Sequence, residues 1–585
     1  MRRPREPAPG ECCGSGCTRC VWDVFYDELA RFEDFIAKGG VEEESHDSSD
    51  EEEPASYVGS VVVKFIDAPA TGAVASDSSR EWERAEMTSR GFFPVDAVEL
   101  VGCSEQSFSP HTPGISVVHL HTSGKAKAML PGDVVEVLVP NSRGTGEGDD
   151  VERLCRALHL DATTWCELHR SPFVPEDHFP PWLPLRKPVS LRQLLSLYVD
   201  ISSSSYLLHQ SFFEGLLRVY NNTRHVTSST TTAAAPDPER VRLLEICAST
   251  DKGPRLLRTL ANSSAPLCYP SLVDVLEVFS FVRIPLDRLL EVSGPLQTRK
   301  YSLANWIPAT MPPTPLQLCM REVCARRSPT SGTPPAAALG DEPRRLARLF
   351  NDAAQSASRD HSHFFFGHTS HPICSAARGA APPVTHSRCL YVGFSLFGTS
   401  LFAQQLQAGC TALCDPALAK SARGPLLLVG CGTGIAPLMA ALRQLMMRRA
   451  SFDAGSPPFP CWVFYGARTK AELMYHEAIQ QAVRAGAVAH YEYALSRESD
   501  PGQHGRHVTD LVKRHRETVA GALQAAGQAF VCGPATALQG VRQLIKRDLL
   551  AEPDDDDSVQ EQRLLLLEEA GRLNFDIWST GNIFE

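Results

Sequence analysis

The stretch Pro425-Leu-Leu-Leu-Val-Gly-Cys-Gly-Thr-Gly-Ile-Ala-Pro437 decides how the C-terminal part of the chain folds. Residues 425 to 429 carry no polar side chain, which predicts a strand buried on both faces, as in a parallel sheet. A glycine-rich turn follows. Leu438 to Arg449 then shows a helical apolar pattern closed by Arg448 and Arg449, whose charge opposes the helix dipole. Strand, glycine turn and helix together form a phosphate cradle, because glycines let backbone N–H groups approach an anion and the helix N-terminus adds partial positive charge. Gly430, Gly432 and Gly434 alternate, and Ile435 stands where the G-x-G-x-x-G fingerprint needs its third glycine, so the turn is of a different dinucleotide type.

Beyond the turn the pattern alternates: strand 461–465, helix 471–485, strand 489–495, helix 508–526, strand 529–532, helix 536–550. That order predicts an α/β doubly wound parallel sheet with ligands at the strand C-terminal ends. Upstream, residues 57–66 and 134–139 read as strands, the second introduced by the turn Pro131-Gly132-Asp133, and turn punctuation of this kind points to an antiparallel barrel. Residues 189–201 read as an amphipathic helix opened by a serine cap. Further helical material is expected over 240–261 and 271–290.

The chain has 585 residues, a length that allows about three or four domains. No run of 18 apolar residues occurs, which argues against an integral membrane protein. The net charge of −11 comes from two acidic runs, eight acids between Glu42 and Glu53 and four more over 554–557. Removing these twelve from the 68 acidic residues leaves 56 against 57 basic ones, so the folded body has no basic footprint for nucleic acid.

Four of the 18 cysteines, Cys12, Cys13, Cys17 and Cys20, fall within nine residues, with glycines between them that allow sharp turns. Such density fits zinc or an iron–sulfur centre, and equally a metal-free cysteine cluster or a protein-docking hook. The start MRRPREPAPG lacks an apolar signal core, which predicts a reducing, cytoplasmic setting; Arg2, Arg3 and Arg5 leave a mitochondrial presequence as the alternative. Residues 41–56 are acidic and serine-rich without periodicity and read as a disordered tether.

Several motifs carry a family resemblance. The string G-x-G-T-G-x-A-P from Gly430 resembles the nicotinamide-binding half of the ferredoxin reductase superfamily, in the branch of NADPH-cytochrome P450 reductase and the diflavin reductases. PGDVVEVLVPN, the helical block with SLRQLLSLYVDIS and IPLDRLLE, and Arg299-Lys-Tyr301-Ser302-Leu-Ala-Asn305 resemble that branch's FAD barrel, connecting insertion and R-x-Y-S motif. The resemblance implies that Arg299 neutralises the flavin pyrophosphate, that the Tyr301 ring packs on the flavin and that Ser302 places a hydroxyl beside it. Gly398, Thr399 and Ser400 stand where the family has a second pyrophosphate turn, with glycine in an altered position. In the nucleotide half the resemblance assigns Gly432, Thr433 and Gly434 to the cofactor turn, Arg468 to its phosphates and Ser496-Arg497 to the 2′-phosphate of NADPH. Arg506 replaces a lysine of the usual pattern. Cys532 in V-C-G-P, and Asp576 and Trp578 in F-D-I-W-S, complete the implied hydride site with Ser302, Trp578 covering the flavin face. The N-terminal string CCGSGCxxCVWD resembles the small oxidoreductase-like N-terminal module.

These readings divide the chain into a cysteine-rich module (1–40), an acidic linker (41–56), an FAD-binding barrel (57–420) with a helical insertion at about 185–295, and an NAD(P)-binding domain (421–585). Only 56 residues precede Tyr57, too few for the flavodoxin-like FMN domain of the two-flavin members. The expected function is an NADPH-dependent FAD oxidoreductase that passes single electrons to a separate acceptor, an iron–sulfur, haem or flavodoxin protein. The alternative is a degenerate reductase scaffold that acts as a binding or assembly protein.

Overall fold

The computed structural model describes the chain from Gly59 to Trp578, apart from segments 69–77, 105–113, 123–127, 143–148, 176–178, 202–208, 228–235, 261–267, 269, 309–313, 327–340, 357–363, 379–389, 395–398, 415–423, 454, 499–504 and 551–555. The cysteine group at 12–20 and the acidic linker lie outside the described residues. Before residue 400 the described strands are β1 (Val61–Ile66), β2 (Phe92–Cys103), β3 (Ile115–Thr122), β4 (Val134–Leu138), β5 (Trp165–Arg170), β6 (Val189–Ser190), β7 (Arg299–Ser302), β8 (Leu316–Arg321), β9 (Cys324–Arg326), β10 (Phe364–Phe366) and β11 (Tyr391–Phe394).

Six of these form one antiparallel sheet in the order β7-β4-β11-β2-β3-β8. The sheet curls until its edges meet: Leu303, just past β7, bridges Leu318 of β8, and Ala304 N donates to Gln317 O at 2.8 Å. The inner face follows strand alternation. Val118 and Leu120 of β3 and Val135 and Val137 of β4 are buried together in its core, while the residues between them face outward.

The strand expected at 57–66 forms as β1 but does not join this sheet. It pairs with β5, which in turn takes β6, and this three-stranded sheet packs beside the helical block. Alternation predicts a strand; it does not name the neighbour.

That block supplies the largest apolar cluster. Ser190 caps the helix Leu191–Leu197 with a capping box, its hydroxyl accepting from Gln193 N while Gln193 Oε1 accepts from Ser190 N. The helix stops short of Ile201 because the next backbone groups bond elsewhere: Tyr198 O accepts from Leu296 N and Asp200 N donates to Gly294 O. The helix expected over 271–290 is two, Leu272–Val278 and Leu286–Val292, the second starting after Pro285, which has no N–H to donate. The segment 240–261 likewise splits into Pro238–Ala248 and Gly253–Leu260.

The nucleotide half holds β12 (Leu426–Cys431), β13 (Cys461–Ala467), β14 (His490–Leu495), β15 (Gln528–Pro534) and β16 (Leu573–Trp578), all parallel, in the order β14-β13-β12-β15-β16. Every residue of β12 is buried. Leu426 and Leu428 enter one apolar cluster and Leu427 and Val429 the other, so helices cover both faces, as the unbroken apolar run requires. Chain order reverses between β12 and β15, which makes the ends of those two strands the switch point where ligands bind in such sheets.

Candidate active site

The glycine turn sits at that switch point. After β12 a single 3-10 turn, Gly432–Gly434, leads into the helix Ile435–Arg449. Gly432 has φ +57°, and a side chain placed there would meet open space, so the backbone is left bare for an anion. Gly434 is needed for a different reason: its Cβ would lie 2.3 Å from the Cys532 carbonyl oxygen, so the turn rests directly on β15.

The β15–β16 register sets Cys532 opposite Asp576, and β7 ends at Ser302 on the barrel side. The three side chains converge. Ser302 Oγ donates to Asp576 Oδ2 at 3.3 Å, and Cys532 Sγ donates to the same oxygen at 3.4 Å. Cys532 is wholly buried, and burial together with the Asp576 charge pushes its thiol well above the ordinary value, so it stays protonated. Burial raises the Asp576 carboxyl, with the Cys532 and Ser302 donors acting against that rise. The arrangement is a hydrogen-bonded cluster shared by the barrel and the nucleotide sheet. Trp578 pairs with Pro534 through its backbone, and its side chain lies outside the described residues.

Three further contacts among the described residues join the barrel to the nucleotide half at this point. Arg321 of β8 makes a paired bond with Glu472, Nη1–Oε1 2.8 Å and Nη2–Oε2 2.7 Å. Arg443 Nη1 donates to Ala304 O at 2.9 Å. Ile115, Val117, Ala304 and Cys319 of the barrel bury themselves against Ala436 and Met474 of the nucleotide half. Arg321 and Glu472 lie 151 positions apart, and neither belongs to a motif, so the sequence gives no signal for this pair.

Cations gather at the ends of β13 and β14. Ser496 N donates to Ala467 O and Arg497 N to Arg468 O, which continues the ladder past the strands and brings Arg468 and Arg497 side by side. Burial, Arg321 and Arg497 all push the Arg468 guanidinium below its ordinary value, a repulsion that a bound anion would relieve. Arg506 Nη2 donates to Ser496 O at 3.5 Å while its backbone N–H donates to Asp510 Oδ2, and the Arg497 and Arg506 guanidinium groups have no carboxylate partner among the described residues. These groups and the bare Gly432 turn fit a phosphorylated dinucleotide.

On the barrel side Arg299 is exposed on β7 without an ion pair among the described residues, and Tyr301 packs against the barrel core while remaining partly exposed. Ser400 caps the helix Leu401–Cys414, its hydroxyl accepting from Ala403 N at 3.1 Å, and Thr399 O accepts from Gln404 Nε2. Gly398 lies outside the described residues. A cation and a hydroxyl flanking an aromatic ring on one strand fit a flavin with its diphosphate.

Residues 428–543 match the oxidoreductase NAD-binding domain family, and residues 1–38 match the family of oxidoreductase-like proteins, N-terminal. The chain is 28% identical over 163 residues to a nitric oxide synthase of Anopheles stephensi, 28% of this chain and 13% of that protein. It is 29% identical over 158 residues to the human NADPH–cytochrome P450 reductase, 26% of this chain and 22% of the relative. It is 31% identical over 131 residues to ferredoxin–NADP reductase B of Sorangium cellulosum, 21% of this chain and 49% of the relative. The chain therefore spans half or less of the length of each of these relatives. No helix among the described residues is long and apolar enough to cross a membrane. Residues 428–543 are thus an oxidoreductase NAD-binding domain of the ferredoxin reductase family, carried in one chain with the oxidoreductase-like N-terminal segment of residues 1–38.

Proposed function

We propose that the chain is an FAD-dependent NADPH oxidoreductase that hands electrons singly to a separate acceptor protein. The observation that carries this reading is the meeting of Ser302, Cys532 and Asp576, from three distant segments, on one carboxylate oxygen. Core packing alone has no need of a part-buried acid tied to a thiol and a hydroxyl across two sheets.

In this reading residues 57–420, with the helical insertion at about 185–295, form the flavin unit and 421–585 the nucleotide unit, preceded by the cysteine module (1–40) and the acidic tether (41–56). Arg299, Thr399 and Ser400 would hold the flavin diphosphate, with Tyr301 against the ring and Trp578 covering its other side. The turn Gly432-Thr433-Gly434 and Arg468 would hold the dinucleotide phosphates, and Ser496, Arg497 and Arg506 the 2′-phosphate that separates NADPH from NADH. Bound FAD would supply the conversion of a two-electron hydride into single electrons. Asp576 keeps the Ser302 hydroxyl and the Cys532 thiol oriented and can exchange a proton with either. The Ile115–Met474 apolar contact excludes water from one side of the junction. Cys12, Cys13, Cys17 and Cys20 could hold zinc or an iron–sulfur cluster on the tether.

The test is an absorption spectrum of the purified chain before and after NADPH. A flavin spectrum that bleaches with NADPH supports the proposal; colourless protein that cannot be reconstituted with FAD overturns it and leaves a scaffold that binds without catalysing.

A further inference from the structure

The β2–β3 ladder sets Glu99 directly across from His119, and His121, two residues further along β3, shares its face. This face is opposite to Val118 and Leu120, which point into the barrel core. Glu99 Oε2 lies 3.3 Å from His119 Nδ1 and 3.3 Å from His121 Nε2. One donor atom from each of the three residues lies within 4.8 Å of the others. Among the described residues no lysine or arginine pairs with Glu99. Two imidazoles and a carboxylate fixed on a sheet form a donor set suited to first-row dications.

Gln317 supplies an independent observation. It faces His119 across the β3–β8 ladder, is 3% exposed, and sets its Nε2 2.9 Å from His119 Nε2. Its Oε1 is buried without a hydrogen-bond partner. A histidine that ligates through Nδ1 must carry its proton on Nε2, and that N–H needs an acceptor. A half-turn of the Gln317 amide, whose nitrogen and oxygen occupy equivalent positions, brings the unused Oε1 to it. Solvent also reaches the group, since His121 borders a cavity of about 140 Å³ with Asp96, and His119 borders one of about 470 Å³ with Asn305 and Arg443.

A second trio, His490, Glu492 and His515, has the same composition and does not meet the same conditions. Arg514 Nη1 lies 4.0 Å from Glu492 Oε2, where its charge opposes a dication, and the rings of Trp462 and Phe464 pack over the two imidazoles with centroids 4.4 and 5.7 Å away.

We propose that Glu99, His119 and His121 form a binding site for a divalent transition-metal ion of the zinc type, with Gln317 orienting His119. Water would fill the remaining coordination positions from the cavity side. The site stands on residues outside the proposed hydride path and does not depend on the oxidoreductase reading.

The test is calorimetric titration of the chelator-stripped full chain with Zn2+, run in parallel on His119→Ala/His121→Ala, Glu99→Gln and Gln317→Leu. The parent should bind about one equivalent more than the double variant, as one three-ligand site requires. The N-terminal cysteines are common to both and cancel in the difference. Gln317→Leu should weaken that extra site roughly 10- to 100-fold. Co2+ in place of Zn2+ should give the weak visible bands of a nitrogen and oxygen site in the difference spectrum, without thiolate charge-transfer absorption. Equal stoichiometry and affinity in parent and double variant overturn the proposal, as does loss of the extra equivalent in His490→Ala/His515→Ala instead. If the double variant does not fold, the exposed Glu99→Gln carries the test, and unchanged Zn2+ affinity there overturns the proposal.

Discussion

Burial and hydrogen bonding pull the Asp576 carboxyl in opposite directions, and burial prevails. The native chain therefore keeps this proton to a higher pH than the unfolded chain, whose aspartate titrates near 3.8. In the window just above that value the folded state binds more protons, so its stability falls as pH rises. Asp576→Asn removes the buried charge. Thermal melts should show the variant at least as stable as the parent at neutral pH, with the difference shrinking toward pH 3.8. Hydride transfer, read by stopped-flow flavin bleaching, should fall by roughly 10²- to 10⁴-fold, the usual worth of a positioned acid or base. A variant that is less stable at neutral pH and fully active would reduce Asp576 to a structural acid. The Ser302, Cys532 and Asp576 trio was legible in the sequence because each stands in a short motif beside a strand end. Arg321, Glu472 and Gln317 were not, because a lone charged or amide residue in a strand or turn carries no mark of the partner the fold brings to it.

Gly434 ties two elements together. A Cβ at this position would meet Cys532 O at 2.3 Å and Cys532 C at 2.6 Å, and backbone cannot swing aside as a long side chain can. Gly434→Ala should push the helix Ile435–Arg449 off β15. The expected loss is about 1–3 kcal/mol, the usual penalty for overpacking, and NADPH binding followed by fluorescence should weaken with it. Unaltered binding and melting would mean that the turn has slack to move away from β15. At this scale the sequence is decisive where one element settles its own identity: the apolar run of β12, the helix that follows and the serine cap at Ser190 all form as expected. It is less decisive where a break depends on neighbours, as at Tyr198, whose carbonyl bonds to Leu296 in place of a next helical turn. β1 forms as its pattern predicts, yet for the same reason it joins β5 and not the barrel sheet.

For the molecule as a whole, the contacts that join the barrel to the nucleotide half among the described residues include the Ser302–Asp576 hydrogen bond, the Arg321–Glu472 ion pair, the Arg443–Ala304 bond and a small apolar patch. Burial raises the Glu472 carboxyl, and the paired bond from Arg321 more than offsets that, so its net pKa lies below the ordinary 4.5. A depressed folded value means that this contribution is fully present above 4.5 and is lost as pH falls through the lower folded value. Glu472→Gln should destabilise the chain at neutral pH by about 1–3 kcal/mol, since the charge-assisted paired bond from the part-buried Arg321 is lost. Limited proteolysis at the junction should be faster, and parent and variant should converge below pH 4.5. A constant difference across that range would show that the pair does not contribute through its charge.

β16 lies at one edge of the nucleotide sheet and comes last in the chain among the described strands, and it alone carries Asp576. A ribosome therefore delivers the barrel, the helical block and the glycine turn long before the carboxylate that joins Ser302 to Cys532. A nascent or prematurely stopped product could assemble most of both sheets while its thiol and hydroxyl stayed untied.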